Sequence, residues 1–318
     1  MRSFRSRWSR QVAKGSPDGT LTAVYDGLTA FRRSGGAAGL TLVPDLATTL
    51  PRPTAGGTTY TFTLRRGIRY SNGAPMRASD FRRGMQRQLS FGLGAGYYEG
   101  LLGGSACIKH PDRCDLSAGI VTDDAAGRVT FRLVQADPDF LYKLGLPLAV
   151  PAPPGAPSHV IDRAPFLPGT GPYMISQVRP NKSFTLVRNP YFRQWSYAAQ
   201  PAGYPSVIRY EQVKSQSAQE SAVVTGQADL ADLEEGDLQS LAIQYPARVY
   251  VGAAGPGGRE RWAATSGRAV TSWSTSCACM GSTSCSGFRA RATSPRWTRS
   301  TTCRRCATSS AARKAGRR

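Results

Sequence analysis

Residues 60–75 read YTFTLRRGIRYSNGAP, and this segment gives the clearest indication of the fold. Tyr60, Phe62 and Leu64 alternate with polar residues, which is the period of a strand with one buried face. The Asn-Gly pair at residues 72–73 predicts a tight turn after the strand. The stretch therefore indicates a half-buried strand that turns back sharply.

A helix is predicted directly after this turn. Ser79 is a good N-cap residue, and Phe81, Met85 and Leu89 then recur at the four-residue spacing of one helix face. Basic residues fall on the other face, which we interpret as the solvated side of an amphipathic helix: Arg82, Arg83 and Arg87.

Further strand and helix patterns follow along the chain. Val129, Phe131 and Leu133 alternate as a second strand, and a short helix is predicted from Phe140. Residues 147–168 are rich in proline and predict an extended connection. Together these elements indicate an α/β protein.

A hairpin and a helix are predicted after the connection. Residues 169–173 read GTGPY and open a hairpin whose second arm ends near Arg188. Residues 217–225 form a helical pattern, and Gly226 takes the position after its end, where glycine is favoured.

The net charge of +21 belongs to the two ends of the chain. Residues 1–14 hold five basic residues and no acid, and residues 255–318 hold 13 basic residues and one acid. The tail from residue 255 also has no Leu or Ile, so it cannot bury enough apolar surface to offset the entropy of folding. We expect residues 1–19 and 253–318 to be disordered.

Enzyme and metal motifs are not supported. Residues 92–96 read GLGAG but follow a helix, whereas a dinucleotide-binding loop must follow a strand. Five cysteines of the tail lack a repeated Cys-x-x-Cys spacing and a nearby His. They are Cys277, Cys279, Cys285, Cys303 and Cys306. We therefore expect no catalysis, no cofactor and no metal.

The motifs in this order resemble the extracytoplasmic solute-binding proteins of the peptide/nickel class of ATP-binding cassette (ABC) importers, family 5. The match covers about residues 20–252: YDGL at residues 25–28, the run at residues 60–81, GTGPY at residues 169–173 and LVRNPYF at residues 186–192. The resemblance implies a periplasmic-binding-protein-like fold of the type II peptide-binding class. It also implies a non-catalytic substrate-binding component that delivers peptides or related small solutes to a membrane permease.

The resemblance also implies a domain division and a set of ligand-binding positions. Residues 20–54 with 166–252 would form lobe I, and residues 55–165 an inserted α+β accessory domain. Seven residues fall where this family faces its ligand, although the tyrosines among them are equally compatible with a structural role inside a lobe: Tyr25, Asp26, Thr29, Tyr97, Tyr98, Thr170 and Tyr173.

The family pattern stops near residue 252, and the composition beyond it is typical of GC-rich coding DNA read in another frame. We interpret the chain as a truncated or frame-shifted partial lobe, and we expect it not to bind peptide tightly by itself. The alternative is a basic interaction protein whose tail binds nucleic acid non-specifically.

The expected oxidation state of two cysteines depends on where the chain is located. The resemblance implies the periplasm or cell envelope and a monomer, but residues 1–15 lack the apolar segment of a signal peptide. Cys107 and Cys114 flank a short loop that would close as a disulfide in an exported protein and stay as two thiols in the cytoplasm. For this chain we favour the two thiols.

Overall fold

Two short strands precede residues 60–75. β1 (Thr29–Phe31) and β2 (Leu42–Pro44) pair antiparallel around a 3₁₀ helix at Gly36–Leu40. The structure is a computed structural model, and its described residues belong to one compact unit. It describes residues 21–34, 36–92, 94–157, 166–180, 182–213, 215–233, 243–244, 249–252 and 261–265.

The two alternating patterns form strands of one antiparallel sheet. A 3₁₀ helix (Ala55–Gly57) leads into β3 (Thr59–Thr63), and β4 (Ile120–Asp123) and β5 (Arg128–Arg132) complete the sheet in the order β3-β5-β4. Tyr60 lies opposite Phe131 in the register of β3 and β5. Both side chains are buried, so the predicted inward face is confirmed.

The helices cover the inward face of this sheet. They are α1 (Ser79–Ser90), α2 (Ala95–Tyr98), α3 (Gly104–Lys109), a 3₁₀ helix at Pro111–Arg113 and α4 (Phe140–Lys143). Phe81, Met85 and Leu89 of α1 belong to the same buried cluster as Phe62 and Phe131 of the sheet. The predicted apolar face of α1 is therefore confirmed.

The prediction that Ser79 caps α1 is wrong. Ala78 is the N-cap residue, and its own side chain makes no capping hydrogen bond. Ser79 is already helical, and its amide and hydroxyl both donate to Asp124, at 2.7 and 2.8 Å. The Ser79 hydroxyl, which was predicted to cap the helix, thus donates to a carboxylate in the β4–β5 turn instead.

The interpretation of the α1 arginines as a solvated face is wrong for two of the three. Arg83 donates to Asp80 at 2.6 Å and to the carbonyl oxygen of Ala152 at 2.8 Å. Arg87 donates to the carbonyl oxygen of Pro157 at 2.8 Å. These arginines fasten the described part of the proline-rich connection to α1 by donating to its backbone carbonyl oxygens.

Cys107 and Cys114 form a disulfide that joins α3 to the chain after the following 3₁₀ helix. Their Cα atoms are 4.1 Å apart, and Cys107 is buried in the main core. The structure therefore has the disulfide where we favoured two thiols for this chain.

The predicted hairpin is the start of a second antiparallel sheet. β6 (Tyr173–Arg179), β7 (Ser183–Arg188) and β8 (Val207–Glu211) follow the order β6-β7-β8. Tyr173 and Leu186 are buried against Ala23 and Val24, which precede β1. The two sequence segments of the predicted lobe I thus share a small core.

The last described elements include a strand where none was expected. α5 (Gln216–Val224) ends before Gly226, which has the positive φ of 76° expected of a glycine after a helix. β9 (Leu230–Leu233), β10 (Val249–Gly252) and β11 (Arg261–Thr265) form a sheet with β11 in the centre. The expectation of disorder throughout 253–318 is therefore wrong for Arg261–Thr265. Residues 1–19, 253–260 and 266–318 lie outside the described residues.

The domain division stays a prediction. Leu28, Leu46 and Ala47 of the predicted lobe I belong to the same core as Tyr60 and Phe131 of the predicted accessory domain. None of the helices within the described ranges is both long and apolar enough to cross a lipid bilayer.

Candidate functional site

The sequence motifs that carry the resemblance meet in space. The amide of Ser71, in the first quoted stretch, donates to the carbonyl oxygen of Gly169 at 2.8 Å. The side chain of Asn189 donates to the carbonyl oxygen of Gly171 at 2.8 Å. A Cβ atom on Gly73 would lie 2.9 Å from the ring of Tyr191, so the ring packs directly on this turn. Residues far apart in the chain thus build one junction.

The glycines at 169 and 171 let the backbone approach residues 23–24 closely. A Cβ atom on Gly169 would overlap the carbonyl oxygen of Val24, and one on Gly171 would overlap that of Ala23. The amide of Gly171 donates to the carbonyl oxygen of Val24 at 3.0 Å. This approach places the intervening Thr170 against Asp26.

Asp26 and Thr170, both predicted as site residues, are in contact. Thr170 Oγ1 donates to Asp26 Oδ2 at 2.6 Å, and Gln200 Nε2 donates to Asp26 Oδ1. Asp26 is buried, and this burial raises the pKa of its carboxyl to about 6 although Thr170, Gln200 and Arg33 favour the charged form.

A second buried carboxylate lies in the same cluster. Asp45 accepts a hydrogen bond from Trp195 Nε1 at 2.8 Å, and its carbonyl oxygen accepts one from Arg65 at 2.7 Å. Burial, together with the charge of Asp26, raises the pKa of Asp45 well above its usual range, against the effect of Trp195, Arg33 and Arg65. The sequence offered no pattern that assigns Asp45, Trp195 or Gln200 to a site.

Three of the four predicted tyrosines have their hydroxyl groups bonded to backbone carbonyl oxygens. Tyr25 donates to Leu167 at 3.0 Å, Tyr98 to Lys143 at 2.7 Å and Tyr173 to Pro205 at 2.7 Å. Burial raises the pKa of Tyr25 to about 12 and raises those of Tyr98 and Tyr173 as well. Thr29 is likewise buried and donates to Leu141 at 3.1 Å.

Tyr97 differs from the other six predicted residues because its side chain is available to a ligand. Tyr97 is 51% exposed, and its ring lies 6.4 Å from that of Tyr98 in an edge-on arrangement. The buried neighbour holds the backbone of α2, and the exposed ring offers an aromatic surface to solvent. The predicted set therefore divides into one exposed aromatic residue and a polar framework of five buried residues and the half-buried Tyr25.

The chemistry of the framework is hydrogen bonding. Within the described ranges, no group of three or more His, Cys, Asp or Glu residues could hold a metal ion. Both side-chain oxygens of Asp26, and Oδ1 of Asp45, accept hydrogen bonds from neighbouring donors, as expected of groups that hold segments of the chain together.

Comparison with solved structures gives oligopeptide-binding proteins. Clavulanic acid biosynthesis oligopeptide binding protein 2 is 25% identical, with a TM-score of 0.58 over 70% of this chain and 42% of that protein. The Escherichia coli murein tripeptide binding protein MppA is 20% identical, with a TM-score of 0.58 over 74% of this chain and 46% of that protein. Haemophilus influenzae OppA, solved in complex with RPPGFSPFR, is 18% identical, with a TM-score of 0.59 over 74% of this chain and 45% of that protein.

The chain spans less than half the length of each of these solved proteins. The two that are under 25% identical show the fold alone, which is that of the periplasmic peptide-binding proteins. A search of curated proteins found no significant match. The sequence profile described as bacterial extracellular solute-binding proteins, family 5 middle, matches residues 41–264. The chain therefore belongs to family 5 of the bacterial extracellular solute-binding proteins.

Proposed function

We propose that this chain is part of the substrate-binding component of an ABC importer and binds peptides or related small solutes without changing them chemically. It would act outside the cytoplasm as a monomer and deliver its ligand to a membrane permease. The observation that carries this proposal is the family profile match over residues 41–264. The match includes the β3-β5-β4 and β6-β7-β8 sheets and the contacts between Ser71, Gly169, Gly171 and Asn189.

The geometry supports a binding role over a catalytic one. The polar groups of the junction bond to each other and to the backbone, which makes a rigid scaffold without a reactive group facing solvent. Structural relatives named as oligopeptide-binding proteins favour a peptide ligand. The disulfide suits a location outside the reducing cytoplasm.

Tyr97 is the residue that we assign to the ligand. Aromatic side chains offer a large contact area at a low cost in conformational entropy, and the phenol hydroxyl adds a hydrogen bond. Tyr25, Asp26, Thr29, Tyr98, Thr170 and Tyr173 would act indirectly, by holding the backbone behind the binding surface.

The test is a titration of the ¹⁵N-labelled chain with a pool of di- to pentapeptides, followed by amide chemical shifts. Because we expect the chain not to bind peptide tightly by itself, we expect weak but saturable shifts at residues around Tyr97 and a clear loss of them in Tyr97→Ala. Tyr204→Ala is the matched control, because Tyr204 is 75% exposed and has no role in the proposal. Peptide shifts that are equal in all three proteins would remove Tyr97 from the site.

The same titration separates the alternative function. If the chain acts through a basic tail on nucleic acid, a DNA duplex will shift amides and the peptide pool will not. That result would contradict the proposed function.

A further inference from the structure

Residues 195–200, here called the strap, are held at both ends by buried carboxylates. Trp195 Nε1 donates to Asp45 Oδ1 at 2.8 Å, and Gln200 Nε2 donates to Asp26 Oδ1. Between these ends, the backbone amide of Arg33 donates to the carbonyl oxygen of Ala198 at 2.7 Å. Asp26 and Asp45 are each 2% exposed, so both carboxyl groups lie away from bulk water.

The hydrogen-bond donors and positive charges around the two carboxylates do not offset the cost of burying both of them in the charged form. Asp26 faces Thr170 and Gln200, which are neutral, and the guanidinium of Arg33. Asp45 faces the indole of Trp195, the guanidinium groups of Arg33 and Arg65, and the charge of Asp26 itself. Burying two such charges close together costs free energy that bound protons remove.

An unsatisfied atom lies next to Asp26. Oε1 of Gln200 is a buried acceptor without a hydrogen-bond partner among the described residues. An ionised Asp26 has no proton to offer it, whereas a protonated Asp26 carries one O–H donor. Protonation therefore adds a donor on the residue that the Gln200 amide already contacts, and the oxygen of that amide lacks a donor.

We propose that Asp26 and Asp45 form a proton-operated clasp that tightens the strap when the surrounding medium becomes acidic. The hydrogen bonds from Trp195 and Gln200 favour the charged carboxylates and weaken on protonation. Removing two buried charges and their mutual repulsion outweighs this loss, because burial is the larger effect at both residues. Tyr197 lies in the middle of the strap and is 60% exposed. The clasp thus couples the mobility of an exposed aromatic residue to external pH, and it does not depend on the identity of the ligand.

The direction of the pH effect follows from the linkage between proton binding by Asp26 and opening of the strap. The pKa of Asp26 is about 6 in the folded protein and lower when the strap opens to water, so the closed form binds the proton more tightly. The resulting stabilisation is absent well above pH 6 and grows as the pH falls through 6 toward the ordinary range of an aspartate. From pH 7.5 to pH 5, Asp26 alone should lower the opening equilibrium about tenfold, and Asp45 acts in the same direction.

The experiment is amide hydrogen exchange of the intact chain at pH 7.5 and pH 5, corrected for the intrinsic effect of pH. The amides of Arg33 and Gln200 report on the strap, because they donate to Ala198 and Ser196. We expect their corrected opening equilibrium to fall about tenfold or more at pH 5. In Asp26→Asn combined with Asp45→Asn, we expect no change between the two pH values.

Two further variants keep the test decisive if the double variant does not fold. Thr170→Val removes a donor that favours ionised Asp26, so the midpoint of the pH response should move upward. Asp137→Asn removes a carboxylate that pairs with Lys143, and its response should equal that of the unmodified chain. Corrected exchange that does not depend on pH, or an unmoved midpoint in Thr170→Val, would overturn the clasp.

Discussion

Gly169 shows how one residue type can decide the geometry of the junction. Its Cα approaches the carbonyl oxygen of Val24 so closely that no other residue fits without moving the backbone. This approach brings Thr170 to Asp26, and the hydrogen bond between them joins two parts of the chain that are 144 residues apart. The quoted GTGPY motif is therefore a packing requirement.

Gly169→Ala should lower the free energy of unfolding by about 1–3 kcal/mol, because the added methyl group must displace the backbone of Val24. Gly96→Ala is the matched control, since a Cβ atom on Gly96 meets nothing within 4 Å. Denaturant unfolding of the two variants measures both effects. Equal stabilities would show that the junction yields easily and would contradict this explanation of the motif.

At the candidate site, the sequence could identify candidate residues but could not predict which of them are in contact. Asp26 and Thr170 were both named as candidates, yet their contact depends on the fold bringing residues 26 and 170 together. Trp195 and Gln200 bond to carboxylates that lie 150 and 174 positions away, and no local periodicity records such contacts. The sequence could not show whether Tyr25, Tyr98 and Tyr173 contact a ligand or hold the fold, because a buried tyrosine and an exposed one look the same in a sequence motif.

At the scale of elements, strands and helices with alternating or four-residue apolar spacing were predictable. The face of β3 and that of α1 follow from which residues must leave water. The start of α1 was not predictable to the residue, since Asp124 from a distant turn takes the hydroxyl of Ser79. The β11 strand was missed because its central position gives it backbone partners on both sides, which its composition does not reveal.

The disulfide acts at the scale of elements, because it joins α3 to the residue after the following 3₁₀ helix and closes the segment between them. Cys114→Ala should lower the free energy of unfolding by about 2–3 kcal/mol under non-reducing conditions, since the loop is then no longer closed in the unfolded chain. Thiol reductant should lower the stability of the unmodified chain by the same amount. The reductant should leave Cys114→Ala unchanged, which controls for the five cysteines of the tail. An unmodified chain that is indifferent to reductant would contradict the structural role of this bond.

At the scale of the whole molecule, the location of charge matters more than its sum. The net charge of +21 suggests a nucleic-acid-binding protein until the two ends are separated from residues 15–254, which hold 23 basic against 19 acidic residues. The family match over residues 41–264 falls almost entirely within this nearly balanced part. A binding role for the chain therefore rests on its folded part.

The most direct test of this account is photo-crosslinking of the intact chain with a short peptide that carries a photoreactive phenylalanine, followed by mass-spectrometric mapping. We expect crosslinks within residues 41–264, at or near Tyr97, that disappear when unlabelled peptide is added in excess. Crosslinks confined to residues 266–318, or crosslinks that unlabelled peptide does not suppress, would contradict the claim that the folded part of this chain is a solute-binding surface.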